Sequence, residues 1–98
     1  MDQNYVIIRL FSRAAQRELE KIEVSRALQI AKDVKVYLER SPVPFGKTRI
    51  KKLSGFDPPF YRLPSGDFRV YYRIFVSEVV VLAITHRKDS EKLLKKLQ

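Results

Sequence analysis

Phe60-Tyr61-Arg62-Leu63, Pro64-Ser65-Gly66-Asp67, Phe68-Arg69-Val70-Tyr71-Tyr72-Arg73-Ile74-Phe75-Val76, Ser77-Glu78, Val79-Val80-Val81-Leu82-Ala83-Ile84-Thr85 is the run that decides the fold of this 98-residue chain. β-Branched and aromatic residues fill three short segments, as strands require. The segments between them, Pro64–Asp67 and Ser77-Glu78, have the composition of tight turns. The run predicts an antiparallel meander with strands at about Phe60–Leu63, Phe68–Val76 and Val79–Thr85. Period-two alternation along the long strand places Phe68, Val70, Tyr72 and Ile74 on one face and Arg69, Tyr71 and Arg73 on the other. The first set is the expected core face.

Upstream, Tyr5–Phe11 reads as a first strand. Ser12 is placed to cap a helix whose apolar residues Ala15, Leu19 and Ile22 recur at helical spacing. A second helix follows from about Val24 to Leu38, with the expected buried stripe Val24, Ala27, Leu28, Ala31, Val34 and Leu38. Ser41-Pro42-Val43-Pro44-Phe45-Gly46 cannot continue it. Residues 47–56 form a basic connector anchored by Ile50, Leu53 and Phe56. Downstream, Asp89 or Ser90 can cap a last helix that turns Leu93, Leu94 and Leu97 inward. The expected class is α+β: two N-terminal helices on one face of a small, mainly antiparallel four-stranded sheet, in the order β-α-α-β-β-β-α. One domain is expected to span residues 1–98.

Lys and Arg number 20 against 11 acids, a net charge of +9. The excess is uneven: residues 1–40 carry +2, residues 41–85 carry +4 and residues 86–98 carry +3. Such an excess on a small domain favours a polyanionic partner. The absence of cysteine and the lone histidine, His86, argue against disulfides and a zinc site, so no metal and no cofactor is expected. No apolar run approaches the ~18 residues that span a bilayer, and Met1-Asp2-Gln3-Asn4 lacks signal-peptide form. The expected location is the cytoplasm, with no membrane partner.

Strand pairing nominates a site. With Ser65-Gly66 as one loop, Arg62 opposes Arg69. With Ser77-Glu78 as the other, Arg69 opposes His86. The expectation is a row Arg62–Arg69–His86, with Tyr71 and Arg73 beside it. Like charges opposed on a sheet are destabilising. An anion held between them, most simply a phosphate, supplies the reason; the alternative is two long side chains splayed into water. Strict alternation sends Arg87 toward the helices, where an unpaired guanidinium is costly, so the strand is expected to end or bulge near His86. An arginine beside His86 would favour a neutral imidazole able to accept a proton.

Three segments carry a resemblance: Ile50-Lys51-Lys52-Leu53-Ser54-Gly55; Tyr61-Arg62-Leu63-Pro64-Ser65-Gly66-Asp67-Phe68-Arg69-Val70-Tyr71-Tyr72; and Val79 through Thr85-His86-Arg87-Lys88-Asp89. Over about residues 47–90 the chain resembles the RelE/ParE toxin superfamily. The resemblance implies the toxin of a toxin–antitoxin pair, partnered by a cognate antitoxin. RelE-like members cut mRNA on the ribosome, the RNA 2′-hydroxyl attacking its own phosphate without a metal; ParE-like members inhibit DNA gyrase. Carried over by position, Arg69 matches the arginine that stabilises the transition state. Arg87 matches the late arginine near the leaving group, and Arg62 the second of two strand lysines. Phe60 stands where the first lysine would be, and Leu93 where some members carry a tyrosine. The proton acceptor is therefore open between His86, Lys51 and Lys52. Lys47, Arg49, Lys51, Lys52, Tyr71, Arg73 and Lys88 are the expected RNA contacts. The expectation is an endoribonuclease. The alternatives are a non-enzymatic gyrase inhibitor and a basic module that binds RNA without cutting it.

Overall fold

A computed structural model describes residues 8–76 and 78–97. In chain order the elements are β1 (Ile8–Phe11), α1 (Arg13–Lys21), α2 (Val24–Arg40), β2 (Lys51–Leu53), β3 (Phe60–Ser65), β4 (Phe68–Phe75), β5 (Glu78–His86), a 3-10 turn (Arg87–Asp89) and α3 (Ser90–Leu97). They form one sheet of order β1-β5-β4-β3-β2. The α+β class and the helix–helix–meander order stand as the sequence predicts. The sheet gains a fifth strand because part of the connector, Lys51–Leu53, pairs antiparallel with β3. β1 runs parallel to β5. Of the expected first strand, residues 5–7 lie outside the described residues, as does Ser77 of the second turn.

The helices form where the sequence supplies caps and a stripe. The Ser12 hydroxyl accepts from the Ala15 amide at 3.1 Å and fixes the start of α1. Ala15 is fully buried beneath it, and Leu19 and Ile22 pack on the core. At the start of α2 the Glu23 carboxylate accepts from the Ser25 hydroxyl and amide, which holds its pKa below the ordinary value. The buried face of α2 is Ile30, Val34 and Leu38. Val24 and Leu28, expected inside, are 71% and 66% exposed, and Ala31 is exposed as well. The helix is rotated so that Ile30 and Tyr37, larger than Ala27 and Ala31, meet the sheet; burying a full Leu or Ile contributes about 1.5–3 kcal/mol.

The core lies between these helices and one sheet face, where Leu63, Val70, Tyr72, Val79, Val81 and Ile84 cluster with the α2 residues. The Tyr61 ring stacks on its cross-strand partner Tyr72 at 5.5 Å. The Tyr72 hydroxyl donates to the Pro42 carbonyl and ties the loop after α2 to the middle of the sheet. Burial, and secondarily the neighbouring Tyr61, push the Tyr72 phenol pKa up. The buried Ser65 hydroxyl donates to the Asp33 carboxylate of α2 at 2.7 Å, a second tie between layers.

The registers differ from expectation at two places, and both matter for function. β3 and β4 turn at Gly66-Asp67, not Ser65-Gly66, so Arg62 opposes Tyr71 and Arg69 opposes Pro64. Gly66 takes φ +57°, which a glycine adopts at little cost. β4 and β5 turn after Phe75, which opposes Glu78, and the register slips between Tyr71 and Tyr72. Tyr71 pairs with Ala83 and Tyr72 with Val81, so Leu82 is the extra, bulged residue. The Leu82 carbonyl accepts from the Ser12 hydroxyl at 3.3 Å, and the Val81 carbonyl from the Ser12 amide at 2.9 Å. The bulge thus seats the β1–α1 junction. Beyond it the alternation of β5 is inverted.

Candidate nucleic-acid interface

Register converts directly into three rows on the sheet face turned away from α1 and α2. One row runs Lys51–Arg62–Tyr71–Ala83, a second Pro64–Arg69–Thr85, and a third pairs Arg73 with Val80 beside the Leu53–Phe60 pair. Four cations from three strands share this face, and no ion pair links any of them to a carboxylate among the described residues. The opposed like charges are Lys51 and Arg62 rather than Arg62 and Arg69. Such a pair is destabilising by itself.

Tyr71 is fully buried although it belongs to this face and not to the core cluster. Its hydroxyl has no hydrogen-bond partner, and neither do the buried Nε atoms of Arg62 and Arg73. Each buried, unpaired polar group costs about 1–3 kcal/mol. Three of them lie on neighbouring residues beneath this face. The Arg73 guanidinium lies 4.1 Å from the Phe60 ring centroid, a cation–π seat that orients it. Phe56 meets Phe60 edge-on at 4.9 Å and steadies that ring. Phe60, expected as the start of a strand and as the residue standing where the resemblance implies a lysine, has a further role whose signal is an aromatic two residues before Arg62, hence on the same face.

At the Gly66-Asp67 end, Arg69 and Arg87 are anchored to one turn. Arg69 Nη1 donates to the carbonyls of Gly66 at 3.2 Å and Phe68 at 3.0 Å. That leaves its Nε and Nη2 donors to meet an anion. The Arg87 amide donates to the Asp67 carbonyl at 2.7 Å, and its Nε lies 3.6 Å from the Asp67 carboxylate. β5 ends at His86 and Arg87 is exposed at the rim, as the cost of burying a guanidinium dictates.

His86 does not join the arginines. The bulge moves it to the helix face, opposite Phe68, whose ring it meets edge-on at 5.4 Å. Its Nδ1 accepts from the Lys88 amide at 3.1 Å and caps the 3-10 turn. The nitrogen that would take a proton is thereby committed to the backbone, and the expected Arg62–Arg69–His86 row does not form. Of the other expected contacts, Lys51, Tyr71 and Arg73 join the arginine face, and Lys88 is exposed beside Arg87. Lys52 pairs with Tyr61 and so belongs to the opposite face. Lys47 and Arg49 lie in the loop after α2, with Arg49 stacked 5.0 Å over the Tyr37 ring. The half-buried Leu93, Leu94 and Leu97 sit on α3, which contacts β5. Among the described residues no helix is long and apolar enough to cross a membrane.

Solved structures share this fold. The fold matches the toxin–antitoxin complex RelBE2 from Mycobacterium tuberculosis, with a TM-score of 0.69, 24% identity, and coverage of 87% of this chain and 100% of that one. It matches the archaeal RelE–RelB complex from Pyrococcus horikoshii with a TM-score of 0.66, 23% identity, and coverage of 87% and 97%. A double mutant of the E. coli toxin RelE in the free state aligns with a TM-score of 0.59, 20% identity, and coverage of 98% and 100%. No curated protein sequence matches. The sequence model described as "ParE toxin of type II toxin-antitoxin system, parDE" matches residues 9–91. The chain is therefore a member of this ParE toxin family, a toxin of the RelE/ParE superfamily.

Proposed function

We propose that this toxin is an endoribonuclease that cuts mRNA on the ribosome, the arginine face gripping the RNA backbone. The observation that carries the reading is the anchoring of Arg69 and Arg87 on one turn, with unused Arg69 donors, beside a face of unpaired cations. In the reaction the 2′-oxygen bonds to the adjacent phosphorus and the 5′-oxygen leaves. The products are a 2′,3′-cyclic phosphate and a 5′-hydroxyl. Arg69 and Arg62 neutralise the charge that builds on the phosphorane oxygens, the largest contribution a protein makes to such a step. Arg87, at the rim, is the group placed to meet the leaving oxygen. Lys51, opposite Arg62, is the amine on this face and takes the place vacated by His86 as proton carrier. The cytoplasm, where ribosomes translate, is the compartment this reading requires.

A second reading, inhibition of DNA gyrase without catalysis, is favoured by the commitment of His86 Nδ1 to the Lys88 amide. It needs no proton acceptor. Both readings call for a cognate antitoxin, and the structural relatives solved as RelE–RelB complexes support one. A carboxylate-bearing segment laid over the arginine face would occupy its donors and silence it. Induction of the toxin followed by primer extension on translated mRNA separates the readings. New 5′ ends within coding sequence support cutting; intact transcripts together with a DNA-damage response support gyrase inhibition.

A further inference from the structure

A second feature lies apart from the arginine face. Between Arg40 and Phe56 the sequence holds five cations and no carboxylate. Here the end of α2 and the loop after it enclose a cavity of about 420 Å³, lined by Tyr37, Arg40, Ser41, Phe45, Lys47 and Thr48 among others. That volume falls in the range of small-molecule sites. The loop is fixed, not loose: Pro42 is fully buried, its carbonyl accepts from Tyr72, and the Ser41 hydroxyl donates to the Val43 carbonyl at 2.8 Å. Gly46, at φ +63°, makes the turn that follows Phe45. On this rigid base Phe45 is 82% exposed. Arg49 covers a face of Tyr37, leaving Phe45 as the open ring.

An exposed aromatic ring among cations is the chemistry that binds single-stranded nucleic acid. Bases stack on the ring while cations track the phosphates. We propose that this cavity takes one unpaired nucleotide of RNA, its base on Phe45 and its phosphate between Arg40 and Lys47. The site extends the RNA-directed reading above and rests on it for the identity of the ligand, but it requires no cutting.

The chain contains no tryptophan, so Phe45→Trp creates a single reporter. Titration with a single-stranded oligoribonucleotide bearing 2′-O-methyl groups, which cannot be cleaved, is expected to quench its emission. Phe45→Ala is expected to bind the same oligonucleotide about tenfold to a hundredfold more weakly. Arg40→Gln and Lys47→Gln are each expected to reduce the slope of log affinity against log salt by roughly 0.7. Unchanged emission at saturation, or wild-type affinity in Phe45→Ala, overturns the proposal. So does a Phe45→Ala protein that loses antitoxin affinity while keeping RNA affinity, since the occupant is then a protein. Because the probe is not a substrate, quenching by a protein that leaves mRNA intact upholds the pocket while removing the nuclease reading.

Discussion

Tyr71 and Tyr72 are adjacent, chemically identical and both fully buried, yet removal of one hydroxyl should stabilise the protein and removal of the other should weaken it. Tyr72 donates to the Pro42 carbonyl; Phe at this position removes that bond and leaves the carbonyl of the buried Pro42 unpaired. The expected cost is about 1–3 kcal/mol. The Tyr71 hydroxyl has no partner, so Phe there removes a desolvated group and loses no bond. The expected change is between zero and a gain of about 1 kcal/mol. For a domain of this size 1 kcal/mol moves Tm by roughly 4–8 °C. Thermal unfolding followed by circular dichroism should therefore separate the two variants by at least about 4 °C, with Tyr71→Phe at or above wild type. A Tyr71→Phe protein destabilised as much as Tyr72→Phe would refute the reasoning, since the hydroxyl would then have a partner inside the fold.

Three further outcomes follow from the same contacts. The raised Tyr72 pKa makes the neutral phenol the stable form in the fold; its contribution is complete below the unfolded pKa of about 10 and is lost as pH rises above it, by up to about 1.4 kcal/mol per pH unit. Alkaline denaturation curves should show this component in wild type and lack it in Tyr72→Phe. Val76 is a β-branched residue at φ +57°, fully exposed at the β4–β5 turn; Val76→Gly should raise stability by about 1 kcal/mol in urea unfolding, and a loss would show that the turn is not strained. His86→Asn keeps an acceptor for the Lys88 amide; transcript cutting should persist in this variant with its pH profile unchanged, whereas its abolition would return His86 to the proton-transfer role.

The fold was legible because its signals are local. The strand composition of residues 60–85, the Ser12 cap and the proline-rich stop after α2 each acted within a few residues, and all reappear in the structure. The faces of β3 and β4 are legible too, since a turn displaced by one residue shifts the pairing by two and leaves parity intact: Arg62, Arg69, Tyr71 and Arg73 share a face as expected, although their partners differ. His86 was misplaced for a different reason. A single bulged residue at Leu82 inverts everything after it, and the bulge answers a contact with Ser12, 70 residues away in sequence. No window on β5 contains that information. The buried stripe of α2 differs because Ala31 and Leu28 fit helical spacing as well as Ile30 and Tyr37 do; turning Ile30, Val34 and Leu38 to the core leaves Val24 and Leu28 outside. Residues 51–53 were too short and too basic to read as a strand, and they pair only because β3 offers an edge.

The nuclease proposed above needs guanidinium groups carried to one phosphate by a hairpin turn and the strand end beside it. Its most direct measurement is primer extension on ribosome-bound mRNA incubated with purified wild-type toxin, Arg69→Ala and Arg87→Ala, each first shown to be folded by circular dichroism. Discrete new 5′ ends are expected with wild type, and loss of those ends in both variants. Intact mRNA with folded wild-type protein, or undiminished cutting by Arg69→Ala, would contradict it.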